Sequence, residues 1–179
     1  MKLKPIVYAA ALALVSGAAF AEDINRTVTL VPDVDSAGVY SAGWGVTHSL
    51  AGSFTDTITF SPDVGGAFSG GLITVGFMNT GNIDFTSVTI NGQAFTLSGT
   101  GAVETATFGP QNLNAPLTLT VNGVAGPTLA AGTAISASYG GTANLAPTAQ
   151  AVPEPESYAL MLAGLGVLGW LGRRNRRNS

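Results

Sequence analysis

The chain has no cysteine and a single histidine, His48, so most side chains that perform chemistry near neutral pH are missing. Without cysteine there is no disulfide and no thiol nucleophile, and one histidine is too few for a zinc site. A Ser-His-Asp arrangement would have to use His48, whose neighbours lack the Gly-x-Ser-x-Gly pattern. We expect His48 to be a solvent-exposed or hydrogen-bonded residue of a turn.

Carboxylates alone do not supply an active site either. Paired carboxylates hydrolyse glycosides, but Asp56, Asp63, Asp84 and Glu104 come without an aromatic-rich cleft, since Trp44 is the one tryptophan between residues 22 and 150. We therefore predict that the protein is not an enzyme, with no catalytic residue, no cofactor-binding residue and no metal ligand.

Positive charge is also scarce in the central part of the chain. Between residues 22 and 150, eight acidic side chains face one basic side chain, Arg26, for a net charge of −7. Such a surface cannot replace the counterions of a phosphate backbone. The composition excludes nucleic acid as a partner.

The N-terminus has the layout of a secretory signal peptide. Lys2 and Lys4 precede an uncharged, mostly apolar stretch over 6–15, and Ala19 and Ala21 form a small-x-small cleavage pattern. This three-part order predicts a signal peptide over 1–21 that signal peptidase removes. The mature protein would begin at Glu22.

The C-terminus carries a second composite signal. Residues 158–172 are uncharged and mostly apolar, and as a helix they span roughly 22 Å at ~1.5 Å per residue. That is shorter than the ~30 Å hydrocarbon core, but flanking arginines can snorkel. A translocated N-terminus with basic residues at the other end predicts one transmembrane helix in the inner membrane, with the C-terminus inside. The residues of this signal are Pro153, Glu154, Pro155, Arg173, Arg174, Arg176 and Arg177.

A Pro-Glu-Pro sequence, a short apolar helix with glycines and a terminal arginine cluster together resemble the PEP-CTERM sorting signal of Gram-negative bacteria. The resemblance implies that an exosortase, an integral membrane protease, recognises the tail and removes the helix. It also implies a cell-surface or extracellular protein of species that make exopolysaccharide, often in biofilms. The alternative is a simple tail anchor that stays in the membrane.

The central part of the chain reads as short strands between glycine and asparagine turns. Apolar and polar residues alternate, and Asn-Gly pairs at 91–92 and 122–123 are hairpin signals. This pattern predicts an antiparallel β-sandwich or jelly-roll-like domain over 22–143, a linker over 144–152 and the sorting signal over 153–179. The predicted strands cover 26–31, 53–60, 72–78, 83–90, 93–97, 103–108, 116–121 and 133–139.

One of these strands carries a second resemblance. Phe54, Asp56, Ile58 and Phe60 alternate with threonines, and this is similar to the motif that names the FxDxF group of PEP-CTERM proteins, although Ile58 replaces an aromatic residue. The three apolar side chains are predicted core anchors. Asp56 on the same face would be costly to bury alone, so we expect it to lie near a strand end, to accept backbone donors or to bind an ion.

The leading functional prediction is a structural or adhesive protein of the cell surface or matrix that associates with exopolysaccharide or other matrix proteins. The alternative is a binding module, either a carbohydrate binder that uses Tyr40, Trp44 and His48 or a calcium-dependent adhesin. Asp33 and Asp35 resemble half of a calcium loop, but the closing glutamate is absent. We favour a plain Asx turn there.

Overall fold

A computed structural model of the protein describes residues 21–36, 38–148 and 155–176. Within these ranges the chain forms eleven strands and one helix. They are β1 (Asn25–Thr29), β2 (Val31–Pro32), β3 (Tyr40–Leu50), β4 (Gly52–Ser61), β5 (Gly66–Val75), β6 (Ile83–Ile90), β7 (Gln93–Ala94), β8 (Thr96–Leu97), β9 (Val103–Leu113), β10 (Thr118–Ala125), β11 (Ala134–Pro147) and α1 (Pro155–Arg176).

The strands form two sheets. One has five strands in the order β1-β4-β10-β6-β7, and the other has six in the order β2-β3-β11-β5-β9-β8. The neighbouring strands pair antiparallel except β1, which runs parallel to β4. Sequential strands often change sheet, as β3 and β4 do across the buried Ala51.

The inner faces of the two sheets pack on each other. Phe60 of β4 meets Phe68 of β5 with ring centroids 5.5 Å apart, and Phe54 of β4 meets Tyr139 of β11 at 6.1 Å. Along β10, buried and half-buried residues alternate strictly, because successive strand side chains point to opposite faces. The predicted all-β class is confirmed, and the two-sheet packing makes this unit a β-sandwich.

One of the two predicted Asn-Gly turns is confirmed and the other is wrong. Asn91 and Gly92 have positive φ values of 48° and 79° and connect β6 to β7. Asn122 and Gly123 lie inside β10, where the pairing with β6 shifts register at a β-bulge. Gly123 is needed there because a Cβ would come within 2.7 Å of the Phe54 ring.

Three strand predictions need correction. The pattern did not predict β3, because its glycines interrupt the alternation that marks a strand. β5 ends at Val75, so Phe77 and Met78 are in an exposed loop rather than in the predicted strand. β11 continues to Pro147, so residues 144–147 pair with β5 instead of starting the linker.

The ends of the chain are described only in part. Ala19, Pro153, Glu154 and Arg177 lie outside the described residues, while Ala21 is buried and its N–H donates to the Ser53 carbonyl at 3.0 Å. Residues 148–179 form a second unit, whose described helix α1 begins at Pro155 and contains Arg173, Arg174 and Arg176. Among the described residues, no helix combines the length and the apolar character needed to cross a membrane.

Candidate functional site

The motif strand β4 holds Phe54, Asp56, Ile58 and Phe60 on one face, and the structure buries all four against the opposite sheet. The alternation of the sequence fixes this face, and its threonines point away from the core. The three apolar residues are core anchors, as predicted. Asp56 is the unusual member, because it lies in the middle of the strand and is 0% exposed.

Three donors surround the Asp56 carboxylate. The backbone N–H of Ile24 donates to Oδ1 at 2.8 Å, the Tyr139 hydroxyl donates to Oδ2 at 2.6 Å, and His48 Nε2 lies 3.1 Å from Oδ2. Of the three predicted alternatives for Asp56, acceptance of a backbone donor is confirmed, whereas the residue lies in the middle of β4 and not near a strand end. The carboxylate joins β4 to β3, to β11 and to the segment before β1, so it connects both sheets.

His48 belongs to this buried cluster rather than to a turn. It lies within β3, is 0% exposed and stacks on Phe54 with ring centroids 4.1 Å apart. The expectation of a solvent-exposed turn histidine is therefore wrong, and the hydrogen-bonded alternative is confirmed by Asp56. A substrate has no access to a side chain so placed, and Nδ1 has no hydrogen-bond partner among the described residues.

Tyr139 completes the cluster from β11. Burial first, and then the hydrogen bond to the Asp56 carboxylate, raise the pKa of the Tyr139 phenol far above its ordinary value. The phenol therefore stays protonated and serves as a permanent donor. Chemically, the Asp56 carboxylate is paired with donors from both sheets, which favours a structural role for the cluster.

A second buried carboxylate, Glu104 of β9, has a structural role that the sequence pattern did not predict. It is 2% exposed and accepts the N–H groups of Phe85 at 2.9 Å and Gly101 at 3.0 Å. Alternation could have revealed it, since Glu104, Ala106 and Phe108 share the inward face of β9.

The segment just before β1 forms hydrogen bonds with both β3 and β4. The Glu22 carboxylate accepts the N–H of Ser49 at 2.9 Å and its hydroxyl at 2.8 Å, and Asp23 accepts the N–H of Thr55 at 2.7 Å. The hydrogen bonds from the backbone and side chain of Ser49 lower the pKa of Glu22. Nothing in the local sequence signals these long-range contacts.

The structure does not place the three predicted carbohydrate binders together on an exposed surface. Tyr40, Trp44 and His48 lie on the inward face of β3, where Tyr40 and Trp44 pack against the core. Trp44 meets Tyr139 edge to face at 5.8 Å. The predicted set of three is therefore wrong as a sugar site, because His48 is fully buried and the half-buried rings of Tyr40 and Trp44 pack against the core.

The predicted Asx turn is confirmed. Asp33 Oδ1 accepts the backbone N–H groups of Asp35 at 2.8 Å and Ser36 at 3.2 Å. Within the described parts of the chain, no group of three or more His, Cys, Asp or Glu side chains could hold a metal ion.

The outer face of the five-stranded sheet is a regular array of small polar side chains. Rows of paired residues cross its strands, and Thr55 donates to Asn122, which donates to Ser87, at 2.8 and 3.0 Å. Neighbouring positions lie about 4.8 Å apart between strands and about 6.7 Å apart along a strand. The two central rows are Thr27, Thr59 and Thr118, and Asn25, Thr57, Thr120 and Thr89.

Comparison with known proteins gives one informative match. The family model of the PEP-CTERM protein-sorting motif matches residues 151–177. No curated protein matches the chain. Among solved structures, the chain is similar to PliG of Aeromonas hydrophila, a periplasmic lysozyme inhibitor of g-type lysozyme. The identity is 15%, the match covers 69% of this chain and 98% of that chain, and the TM-score is 0.32, a level that assigns no function.

The matched residues include the Pro-Glu-Pro sequence and all four terminal arginines. The FxDxF assignment remains a prediction. Residues 151–177 thus identify this chain as one that carries the PEP-CTERM protein-sorting motif, the signal of an exported protein sorted by an exosortase.

Proposed function

We propose that the protein is a structural or adhesive component of the cell surface or extracellular matrix, sorted there by an exosortase, and that it associates with exopolysaccharide through its β-sandwich. The observation that carries this proposal is the sorting motif at 151–177, which follows a β-sandwich whose histidine is buried and whose two buried carboxylates accept internal hydrogen bonds. Signal peptidase would act first, at Ala21, and the exosortase second.

The described side chains of α1 support the sorting step. Leu160, Leu162 and Leu168 are 74%, 65% and 66% exposed. An apolar helix with so much exposed surface is stabilised by an apolar environment, here the inner membrane or the exosortase. Its uncharged stretch is roughly 22 Å long at ~1.5 Å per residue, shorter than the ~30 Å hydrocarbon core, which suits a transient membrane anchor better than a permanent one.

The hydroxyl array supports association with a neutral glycan. Threonine, serine and asparagine side chains donate and accept hydrogen bonds, as sugar hydroxyls do. The central rows of this face carry no charge that would have to be desolvated on contact. Many weak contacts along a polymer then add through multivalency rather than through one deep pocket.

The burial of the histidine and of two carboxylates supports the proposal that the protein is not an enzyme. His48 is the one histidine of the chain, and its ring is sealed between Phe54 and Asp56. Asp56 and Glu104 are both consumed by backbone and side-chain donors. A general base must reach the proton that it abstracts, and neither carboxylate reaches solvent.

The test is the intact mass of the protein in producing cells, and in the same cells without the exosortase. We expect a species that begins at Glu22 and ends near Pro155 on the cell surface or in the medium, and a membrane-bound species that ends at Ser179 without the enzyme. Replacing Glu154 by Ala should also block removal of the tail, whereas Thr148→Ala, outside the matched motif, should not. A protein that keeps Ser179 in cells with an active exosortase would refute the proposal.

A further inference from the structure

The first four described residues, 21–24, form a segment that we call the N-terminal strap. Its backbone follows β4. The Ala21 N–H donates to the Ser53 carbonyl at 3.0 Å. The Ile24 carbonyl accepts the Thr57 N–H at 2.9 Å. These contacts continue the parallel register of β1 on β4. The N-terminal strap therefore extends the edge of the five-stranded sheet back to the residue at which the signal peptide is predicted to end.

Carboxylates hold the N-terminal strap at three successive residues. The Glu22 carboxylate accepts the N–H and the hydroxyl of Ser49, in β3, at 2.9 and 2.8 Å. Asp23 accepts a backbone N–H of β4 at 2.7 Å, and the Ile24 N–H donates to the buried Asp56 carboxylate at 2.8 Å. Hydrogen bonds to a charged partner are about twice as strong as neutral ones. The N-terminal strap leaves β4 only when several of these bonds break together.

Ala21, the residue on the N-terminal side of the predicted cut, is part of the core. It is 3% exposed and belongs to the buried cluster that contains Val28 and Phe54. Signal peptidase accepts a small side chain at this position and therefore has to reach the Ala21 methyl group. A protein that binds an extended peptide also uses the backbone groups of that peptide, and the Ala21 N–H is already bonded to Ser53. The docked strap thus withholds the bond that the peptidase must cut.

Burial of this bond makes its cleavage depend on opening of the N-terminal strap. When a bond is hidden in the folded state, a protease cuts only the molecules in which that part of the chain is transiently open. Opening removes Ala21 from the core and leaves the Asp56 carboxylate without one of its donors. We therefore expect the open molecules to be a small fraction of the folded protein.

We propose that folding of the β-sandwich closes the signal peptidase site, so that the bond between Ala21 and Glu22 is cut before the N-terminal strap docks on β4. The cut is a hydrolysis, in which water supplies the hydroxyl of the new Ala21 carboxyl group and a proton of the new Glu22 amino group. A chain that folds first keeps its signal peptide and stays bound to the membrane at that end. The inference rests on the proposed function in one respect, since that function requires export with removal of residues 1–21.

The N-terminal strap can still dock after the cut, because most of its contacts belong to residues that the mature protein keeps. The bonds of Glu22, Asp23 and Ile24 to β3 and β4 all remain. The cut removes the contacts of Ala21, namely its bond to Ser53 and its place in the core. The mature protein therefore keeps a docked N-terminus, whereas a folded precursor keeps a docked cleavage site.

Cleavage of the full-length precursor by purified signal peptidase tests the inference. A peptide of residues 12–30 carries the same bond but is too short to form the sandwich, so its rate reports the enzyme alone. Both substrates are cut in detergent at increasing urea concentrations, and the intact mass identifies the product that begins at Glu22. We expect the rate of the precursor relative to the peptide to be at least about ten-fold lower in the folded state, and to rise through the unfolding transition.

An aspartate variant with a matched control separates the N-terminal strap from the rest of the fold. Asp23→Ala, made in the precursor and in the peptide, removes one carboxylate that holds the strap. The relative rate without urea should then rise about ten-fold. Asp33→Ala also removes a carboxylate that accepts backbone N–H groups, but in the turn after β2. This control should leave the relative rate unchanged.

A folded precursor that is cut as fast as the peptide, a precursor cut at another bond, or equal relative rates for Asp23→Ala and Asp33→Ala would each overturn the inference. The proposed function has a separate readout, since it requires the loss of Ser179 in cells with an active exosortase. Tail removal together with fast cleavage of the folded precursor refutes the inference alone. Slow cleavage of the folded precursor together with a retained Ser179 refutes the proposed function alone.

Discussion

Replacing Asp56 by alanine tests whether the buried cluster holds the two sheets together. The change leaves the Ile24 N–H, the Tyr139 hydroxyl and His48 Nε2 without their acceptor inside the core. Each unpaired buried donor costs roughly 1–3 kcal/mol. The three costs are not additive, because the donors share one site and can relax together. We therefore expect the free energy of unfolding to fall by about 3–5 kcal/mol, toward the lower end of their sum.

Urea unfolding followed by tryptophan fluorescence measures this loss, since Trp44 packs edge to face on Tyr139. With a slope of about 2 kcal/mol per molar urea, the midpoint should fall by roughly 1.5–2.5 M. Asp56→Asn keeps the shape and one acceptor oxygen, so its loss should be intermediate. Thr57→Ala, the next residue on the outward face of β4, is the matched control and should stay within about 0.5 kcal/mol of the parent.

A midpoint for Asp56→Ala within the range of the Thr57→Ala control would refute the reasoning. It would mean that water or local rearrangement satisfies the three donors at no cost. An Asp56→Asn variant less stable than Asp56→Ala would also contradict it, because the amide would then oppose the donors more than an empty space does.

Further predictions concern the same core. Because the pKa of Tyr139 is raised in the folded state, its phenol stabilises the protein below the unfolded pKa of about 10, and above that pH the free energy of unfolding should fall by about 1.4 kcal/mol per pH unit. Tyr139→Phe should remove this alkaline slope in urea titrations between about pH 9 and 11. An unchanged slope would refute the assignment. Phe60→Ala should lower the free energy of unfolding by about 3–5 kcal/mol, because the ring is 2% exposed and fills the space between the sheets. A loss below about 1 kcal/mol in urea unfolding would contradict this, since it would show that the core collapses around the gap. Gly66→Ala should lower the thermal midpoint, because its Cβ would overlap the Ala146 carbonyl, whereas Gly43→Ala should not; equal midpoints would contradict the packing. Calcium should leave the thermal midpoint unchanged, because the Asp33 carboxylate already accepts two backbone N–H groups. A thermal midpoint that rises when millimolar calcium is added would show that the protein binds the ion.

The alternation of apolar and polar residues along the sequence predicts much of the fold. In β4, period-two alternation predicts Phe54, Ile58 and Phe60 on one core face, and all three are buried there, because neighbouring strand side chains must point to opposite sides. The Asn91-Gly92 turn is equally readable, since a tight hairpin demands positive φ at both residues. The sorting motif is readable for another reason, since it is a contiguous segment at 151–177.

The same local rules fail where distant parts of the chain decide the outcome. Asn122-Gly123 has the chemistry of a turn, yet the Phe54 ring and the pairing with β4 and β6 hold it inside a strand. β3 is rich in glycine and reads as a loop, yet its pairing with β11 and β2 makes it a strand.

By itself, the sequence determined the alternation of faces, the all-β class, the acidic and cysteine-free composition and the sorting tail, because each depends on composition or on residues close together in the chain. Only the tertiary structure decided that Asp56, His48 and Tyr139 meet, since His48 and Tyr139 are 8 and 83 residues away from Asp56 along the chain. It also decided which glycines face open space, because that depends on what the opposite strands bring near each Cα. Local side-chain chemistry predicts the strands with regular alternation, whereas contacts between distant segments decide the remaining strands and which residues meet.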